Sequence, residues 1–86
     1  MASIREVVAA LPARGTLFAV PPWTPGSKCV VTEEDSVDGF QYLLEVELAA
    51  EVLEVWKDWR RGRIPTTDEA ASAEIHYATT DAYEPV

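Results

Sequence analysis

The sequence predicts a small α+β protein in which a β-hairpin packs against helices, with elements in the order α-β-β-α-α. Three features of the sequence support this fold class. Two segments with helical spacing of apolar residues open with capping boxes. Two short β-branched segments flank a loop rich in proline and glycine. A long amphipathic segment follows the second of them.

The first predicted element is a helix that begins at a capping box formed by Ser3 and Glu6. In this arrangement the serine oxygen accepts an early backbone N–H, and the glutamate reaches back to the serine N–H. Pro12 and Gly15 end the helix. Its predicted apolar face consists of Ile4, Val7, Val8 and Leu11.

A hairpin is predicted next, with strands from Thr16 to Val20 and from Lys28 to Glu33, because both segments carry β-branched or aromatic residues. The connecting loop reads PPWTPGS. Pro25 and Gly26 suit the two central positions of a type II turn, since proline presets φ and glycine accepts a positive φ. We therefore expect an antiparallel pair joined by a proline-stiffened loop.

An acidic loop from Glu33 to Gly39 follows the hairpin, and the next segment, Phe40 to Leu44, fits either a helical turn or a short strand. The central helix is predicted from about Val46 to Arg61, ended by Gly62 and Pro65. Since they share one side of this helix, both of its tryptophans are expected in the core. That apolar side carries Ala49, Val52, Leu53, Trp56 and Trp59.

The last predicted helix opens with a second capping box, at Thr66 and Glu69, and runs to about Thr79. Its small apolar face is formed by Ala70, Ala73 and Tyr77. The remaining tail has room for a short edge strand around Ala82 and Tyr83.

Length and charge limit what the protein can do. The 86 residues, 48% of them hydrophobic, fit a single globular domain, 1–86. The formal net charge of −8 repels nucleic-acid phosphates and anionic membranes, so we expect no direct contact with either. The same charge suits a protein partner with a basic surface, and it also serves plain solubility.

The cysteine content and the N-terminus predict a cytoplasmic protein. Cys29 is the only cysteine, which excludes an internal disulfide and is consistent with a reducing compartment. The apolar stretch from Val7 to Leu11 is short for a secretion signal, and Glu6 stands where a basic region is needed. No segment approaches the roughly 18 apolar residues of a membrane span.

Catalytic and metal-binding patterns are absent from the sequence. Cys29 and His76 are the only soft metal ligands, far short of a zinc site. The acidic run fails as a calcium loop, because Val37 occupies the third position counted from Asp35. We therefore expect no enzyme, no catalytic residue, no cofactor or metal, and no reactive group that faces inward.

Basic residues crowd the C-terminal end of the central helix. They can complement the helix dipole or contact a phosphate, and the position favours the first interpretation. These residues are Lys57, Arg60, Arg61 and Arg63.

Two acidic features are candidate binding sites for a basic partner. The first is an acidic stripe on the central helix, formed by Glu47, Glu51, Glu54 and Asp58. The second is the acidic loop, with Glu33, Glu34, Asp35 and Asp38. Such carboxylates would speed encounter with the partner and favour one orientation. The alternative is an ordinary solvated helix face and loop.

Trp23 is the third candidate. On a stiff loop, a tryptophan can anchor a protein interface. It can equally fold back over the hairpin and cover the core with its large apolar area.

The order of these short motifs resembles that of a family of small bacterial proteins of unknown function, often associated with toxin–immunity gene clusters. The resemblance covers most of the chain and implies no catalytic residues. Its matching segments are Leu17-Phe18, Trp23, Cys29-Val30-Val31, Gly39-Phe40, Glu69-Ala70, Tyr77 and Asp81-Ala82-Tyr83. It implies an immunity or antitoxin-like inhibitor.

The sequence thus predicts a non-catalytic, acidic protein-binding module that neutralises a basic partner by direct binding. A bacterial toxin is the favoured partner. A close variant is a phage-encoded inhibitor of a nucleic-acid-binding defence protein, in which the carboxylates mimic a phosphate backbone. Two other classes stay open: a structural subunit that forms homo-oligomers, and a small enzyme that uses His76, Cys29 or the acidic loop.

Overall fold

The computed structural model describes residues 2–85 and has three helices and a three-stranded antiparallel sheet. The predicted α+β class is confirmed, with one strand more than expected. In chain order the elements are α1 (Ile4–Ala9), β1 (Thr16–Ala19), β2 (Cys29–Thr32), β3 (Gln41–Glu45), α2 (Val46–Asp58) and α3 (Thr67–Thr80).

Both predicted capping boxes are present. Ser3 Oγ accepts from the Glu6 backbone N–H at 3.4 Å, and the Ser3 backbone N–H donates to Glu6 Oε1 at 3.0 Å. The matching distances at Thr66 and Glu69 are 3.1 and 3.0 Å. Two of the free N–H groups at the start of α1 and two at the start of α3 are therefore satisfied within the local sequence.

The sheet has the order β2-β1-β3, with the predicted hairpin formed by β1 and β2. The ambiguous segment before the central helix is the third strand, on the other side of β1. A register shift between Leu17 and Phe18 leaves Leu43 as an extra residue, and Leu43 and Leu44 are both buried. A bulge of this kind breaks the alternation of apolar and polar residues, which explains why the sequence did not identify a strand.

The turn in the connecting loop is not of type II, because Gly26 does not have a positive φ. The backbone N–H of Ser27 still donates to the Thr24 carbonyl at 2.9 Å, so a four-residue turn is present. The Pro25 carbonyl accepts from the Arg5 N–H in α1 at 3.0 Å. This contact sets the orientation of the peptide between Pro25 and Gly26, which is the peptide that differs between the common turn types.

The main core lies between the helices and one face of the sheet. Residues from all six elements contribute to it, including Ile4, Leu17, Cys29, Leu44, Ala49 and Ala71. A smaller cluster forms around Trp56, where α2 meets α3.

The prediction that Trp59 lies in the core is wrong, because its exposed fraction is 48%. Helix α2 ends at Asp58, before the expected end at Arg61, and Trp59 is its C-cap residue. Arg61 and Gly62 have positive φ values of 58° and 82°, which turns the chain away from the helix axis. Beyond the last helical turn, Trp59 therefore lacks the cover that α3 gives Trp56.

The predicted edge strand at Ala82 and Tyr83 does not form in the described part of the chain. Asp81 ends α3 in the left-handed conformation, with φ of 58°. Tyr83 then packs against Trp59 and Tyr77, with ring centroids 5.9 and 5.1 Å apart. These ring contacts hold the tail against the helices rather than at the edge of the sheet.

Candidate partner-binding surfaces

The predicted acidic stripe on α2 is exposed along its whole length. Its two ends nevertheless differ. Glu54 pairs with Lys57 at 3.0 Å, whereas Glu47, Glu51 and Asp58 have no ion pair within residues 2–85. The N-terminal half of the stripe therefore carries the less compensated negative charge.

Most basic side chains form ion pairs with carboxylates of the same protein. Five of the seven are within ion-pair distance of a carboxylate. In the part of the chain that the structure describes, Lys28 and Arg61 are the two that are not. Ten of the fifteen acidic side chains consequently have no cationic partner there, and the exterior is acidic in net terms.

The basic cluster at the end of α2 packs on the protein itself. The guanidinium carbons of Arg60 and Arg63 lie 4.2 and 4.7 Å from the Trp56 ring centroid, within cation–π distance. Arg60 also donates to the Trp56 carbonyl at 3.2 Å, at the helix end. Arg63 donates to both carboxylate oxygens of Glu69, at 3.1 and 2.9 Å. These contacts favour the helix-end interpretation over phosphate binding.

Acidic residues from three parts of the chain meet around two adjoining depressions of about 280 and 360 Å³ that share Glu45 and Glu47. Glu33 lines the first depression, and Glu51 lines the second. Among residues 2–85, the only basic residue that lines either depression is Arg14, whose Nε is 3.7 Å from Glu33 Oε1. We call Glu33, Glu45, Glu47 and Glu51 the acidic surface.

Strand pairing explains how the acidic surface is assembled. Thr16 of the central strand pairs with Thr32 on one side and with Glu45 on the other. Glu33 directly follows Thr32, and Glu47 lies two residues after Glu45. The carboxylates of Glu33, Glu45 and Glu47 therefore lie at the same end of the sheet. The sequence did not identify Glu45, because the segment before it fitted either a helical turn or a strand. The signal that could have found it was an acidic residue directly before the central helix.

The other predicted acidic residues are not part of this surface. Glu34, Asp35 and Asp38 are exposed in the loop before β3, and Glu54 and Asp58 lie further along α2. None of them lines either depression.

Trp23 lies at the opposite end of the hairpin, beyond the pairing of Ala19 with Cys29. It is half-buried against the core, and its indole Nε1 donates to the Ala19 carbonyl at 3.2 Å. These contacts confirm that it covers the core. They also place it away from the acidic surface, so the two predicted features do not form one continuous site.

Trp23 also lines a groove of about 410 Å³ between its loop, α3 and the C-terminal segment. Ser72, Ile75, His76, Thr79 and Glu84 line the groove as well. His76 thus lines a groove together with a tryptophan and four hydroxyl-bearing residues, and Cys29 does not line it. Cys29 itself is buried, and burial raises the pKa of its thiol to about 11, so it stays protonated at neutral pH.

Glu74 is a second residue that the sequence patterns missed. It lies on α3 with an exposed fraction of 0%, and neither carboxylate oxygen has a hydrogen-bond partner within residues 2–85. Burial raises the pKa of Glu74 from 4.5 to about 9, so the group is protonated at neutral pH. An ionisable side chain therefore faces inward at this position, which the sequence did not predict.

A helical-wheel signal for Glu74 was present, since it follows the buried Ala70 by four residues. A charged residue at a core-facing position is usually read as a boundary of the apolar face, because isolated buried charges are costly.

Among residues 2–85, no group of three or more His, Cys, Asp or Glu side chains is placed to hold a metal ion. Within the same range, no helix has both the length and the apolar character needed to cross a membrane.

Comparisons with protein-family models, with curated protein sequences and with solved structures find no match to this chain.

Proposed function

We propose that this protein is a non-catalytic binding module that neutralises a basic protein partner in the cytoplasm of a bacterial host. The observation that carries the proposal is the acidic surface, where Glu33, Glu45, Glu47 and Glu51 surround two depressions next to a single arginine. Fixed carboxylates of this density attract a basic partner from a distance and orient it during encounter.

Internal ion pairing supports the proposal. Because five of the seven basic side chains already have carboxylate neighbours, the protein has few cations that would repel a basic partner. The resemblance to small proteins of toxin–immunity gene clusters favours an immunity or antitoxin-like inhibitor. A phage-encoded inhibitor of a nucleic-acid-binding defence protein is a variant of the same function.

Charge-reversal variants of this protein, measured for their affinity for the natural partner, test the proposal. The variant Glu45→Lys/Glu47→Lys changes the acidic surface at the junction of β3 and α2, and Glu54→Lys/Asp58→Lys is the control with the same charge change further along α2. We expect the first pair to raise Kd on the order of a hundredfold at low salt, and the control to change it by only about threefold. Isothermal titration calorimetry at several salt concentrations measures both.

Thermal unfolding of each variant shows whether the fold is intact. Equal losses of affinity for the two pairs would show that net charge alone matters, and unchanged affinity in both would contradict the proposal. Competition by DNA or RNA for the partner separates the phosphate-mimic variant from a plain protein inhibitor.

A second candidate, a homo-oligomeric subunit, is favoured by exposed apolar side chains. Tyr42, Trp59 and Ile64 have exposed fractions of 52%, 48% and 80%. Large exposed side chains of this type are common at protein interfaces. Light scattering of the purified protein across a concentration series distinguishes this candidate, because it predicts a stable oligomer without any partner.

A further inference from the structure

The groove between the Trp23 loop and α3 has a polar stripe along its helical wall. Ser72, His76 and Thr79 line the groove at spacings of four and three residues, which places them on one face of α3. Their side chains make no hydrogen bond to other groups within the described chain. By contrast, Thr80 Oγ1 lies 2.8 Å from the His76 carbonyl, to which it donates. The stripe thus offers three polar groups to a ligand.

Apolar and acidic groups complete the groove. The Trp23 indole, Pro25 and Ile75 supply apolar area, and Glu84 supplies a carboxylate. No lysine or arginine of the described chain lines it. The mixture of an aromatic face, aliphatic surface, hydroxyl groups and one carboxylate matches the chemistry of a long cationic side chain, which has an apolar stem and a charged tip.

We propose that this groove binds arginine or lysine side chains of the basic partner, as a second anchor point separate from the acidic surface. The inference rests on the proposed function and adds a specific subsite to it. The aliphatic stem would lie on Ile75 and Pro25, while the charged tip reaches Glu84, the hydroxyl groups of α3 and the indole face.

Glu84 is available for this role. Its side chain keeps an exposed fraction of 32%, and its nearest cation, Arg60 Nη2, is 4.0 Å away, at the limit of an ion pair. Arg60 donates instead to the carbonyls of Trp56 and Pro85, at 3.2 and 3.0 Å. An incoming cation therefore meets a carboxylate that its neighbour compensates only weakly.

The groove and the acidic surface lie at opposite ends of the β1–β2 hairpin. The pairing of Thr16 with Thr32 marks the acidic end, and the pairing of Ala19 with Cys29 marks the groove end. Strands of this length span about 10–13 Å, so one basic segment of moderate length can reach both. Two anchors at a fixed separation select for the spacing of basic residues in the partner as well as for their charge.

The three tryptophans allow a direct test by NMR. Trp23 reports on the groove, Trp56 on the core and Trp59 on the exposed end of α2. ¹⁵N-labelled protein is titrated with an acetylated, amidated peptide of alternating arginine and glycine, and with a peptide of alternating glutamate and glycine. We expect the arginine peptide alone to shift the Trp23 indole signal and the amides of Ser72, His76 and Thr79.

Matched variants locate the effect. Glu84→Gln should raise the Kd at the groove about threefold, whereas Glu34→Gln, the same change at an exposed loop residue outside both the groove and the acidic surface, should leave the groove signals unaltered. Thr79→Lys places a like charge in the groove and should remove the Trp23 shift. Ala9→Lys, which adds the same charge at an exposed position on α1 outside the groove, should not.

Each alternative outcome is informative. Shifts confined to Glu45, Glu47 and Glu51 would overturn the groove proposal and leave the proposed function intact. Equal shifts with the glutamate peptide, or no shift at any residue, would also overturn it. The proposed function is decided separately, by the charge reversals on the natural complex.

Discussion

Helices α2 and α3 have almost the same length, 13 and 14 residues, but they place acidic residues in opposite ways. In α2 the carboxylates are exposed and the core side carries large residues such as Val52 and Trp56. In α3 the core side is mostly alanine and includes the fully buried Glu74. Amphipathic patterning therefore describes α2 well, whereas the core side of α3 combines small residues with a buried, neutral carboxyl group.

The pH dependence of stability should be the largest consequence of this difference. The pKa of Glu74 is about 9 in the folded protein, against its ordinary value of 4.5. Below pH 4.5 Glu74 is protonated in both the folded and the unfolded state, and its contribution to stability is fully present. As the pH rises towards the folded pKa of about 9, the unfolded state ionises while the folded state keeps its proton, so this contribution is lost. Between these values we expect the free energy of unfolding to fall by about 1.4 kcal/mol per pH unit.

Urea unfolding at a series of pH values measures this slope. Glu74→Gln should abolish it, because the amide cannot ionise, while Glu47→Gln, which changes an exposed carboxylate of α2, should retain it. A slope that persists in the glutamine variant would show that another group is responsible.

The second largest effect is expected from loss of Arg60, which joins the end of α2 to the C-terminal tail. Arg60→Ala removes two hydrogen bonds to backbone carbonyls and the stacking on Trp56. We expect a loss of about 1–2 kcal/mol in the free energy of unfolding. Arg61→Ala, at an exposed neighbour without an ion pair in residues 2–85, should change it by less than about 0.5 kcal/mol. Similar losses in both variants would contradict the role of Arg60.

The smallest effect expected is from the N-terminus of α3. Thr66→Ala removes the hydroxyl that accepts the Glu69 N–H, and should cost about 1 kcal/mol. Chemical unfolding near pH 7 checks the value, with Thr67→Ala as a control at the next, exposed residue.

The cap acts together with Arg63, whose hydrogen bonds lower the pKa of Glu69 to about 2, ahead of the bond from the Thr66 backbone. The contribution of Glu69 is thus present above its ordinary pKa of 4.5 and is lost as the pH falls towards 2.

Local signals in the sequence predicted the helix starts, the hairpin and the exposure of the acidic stripe. The capping boxes at Ser3 and Thr66 are examples, because their hydrogen bonds involve residues only three positions apart. The strand that contains Leu43 was not resolved, since its bulge depends on pairing with β1. The exposure of Trp59 likewise depends on where α2 ends and on what covers it.

The acidic surface was predicted only in part. Glu33, Glu47 and Glu51 were identified, whereas Glu45 required the strand order, and the separation of Trp23 from these residues required the register of the hairpin. The burial of Glu74 depends on the packing of α3 against α1, α2 and β3, which the spacing from Ala70 to Glu74 within α3 indicates but does not establish.

The attachment of the Trp23 loop to α1 has a consequence for binding thermodynamics. Carbonyl groups of Pro25 and Ser27 accept the N–H groups of Arg5 and Ile4 at 3.0 and 2.9 Å, so the loop and the helix start form one unit. A ligand that enters the groove meets a wall that is already ordered. Its association therefore avoids the entropic cost of fixing a flexible loop, and its rate need not wait for a conformational opening.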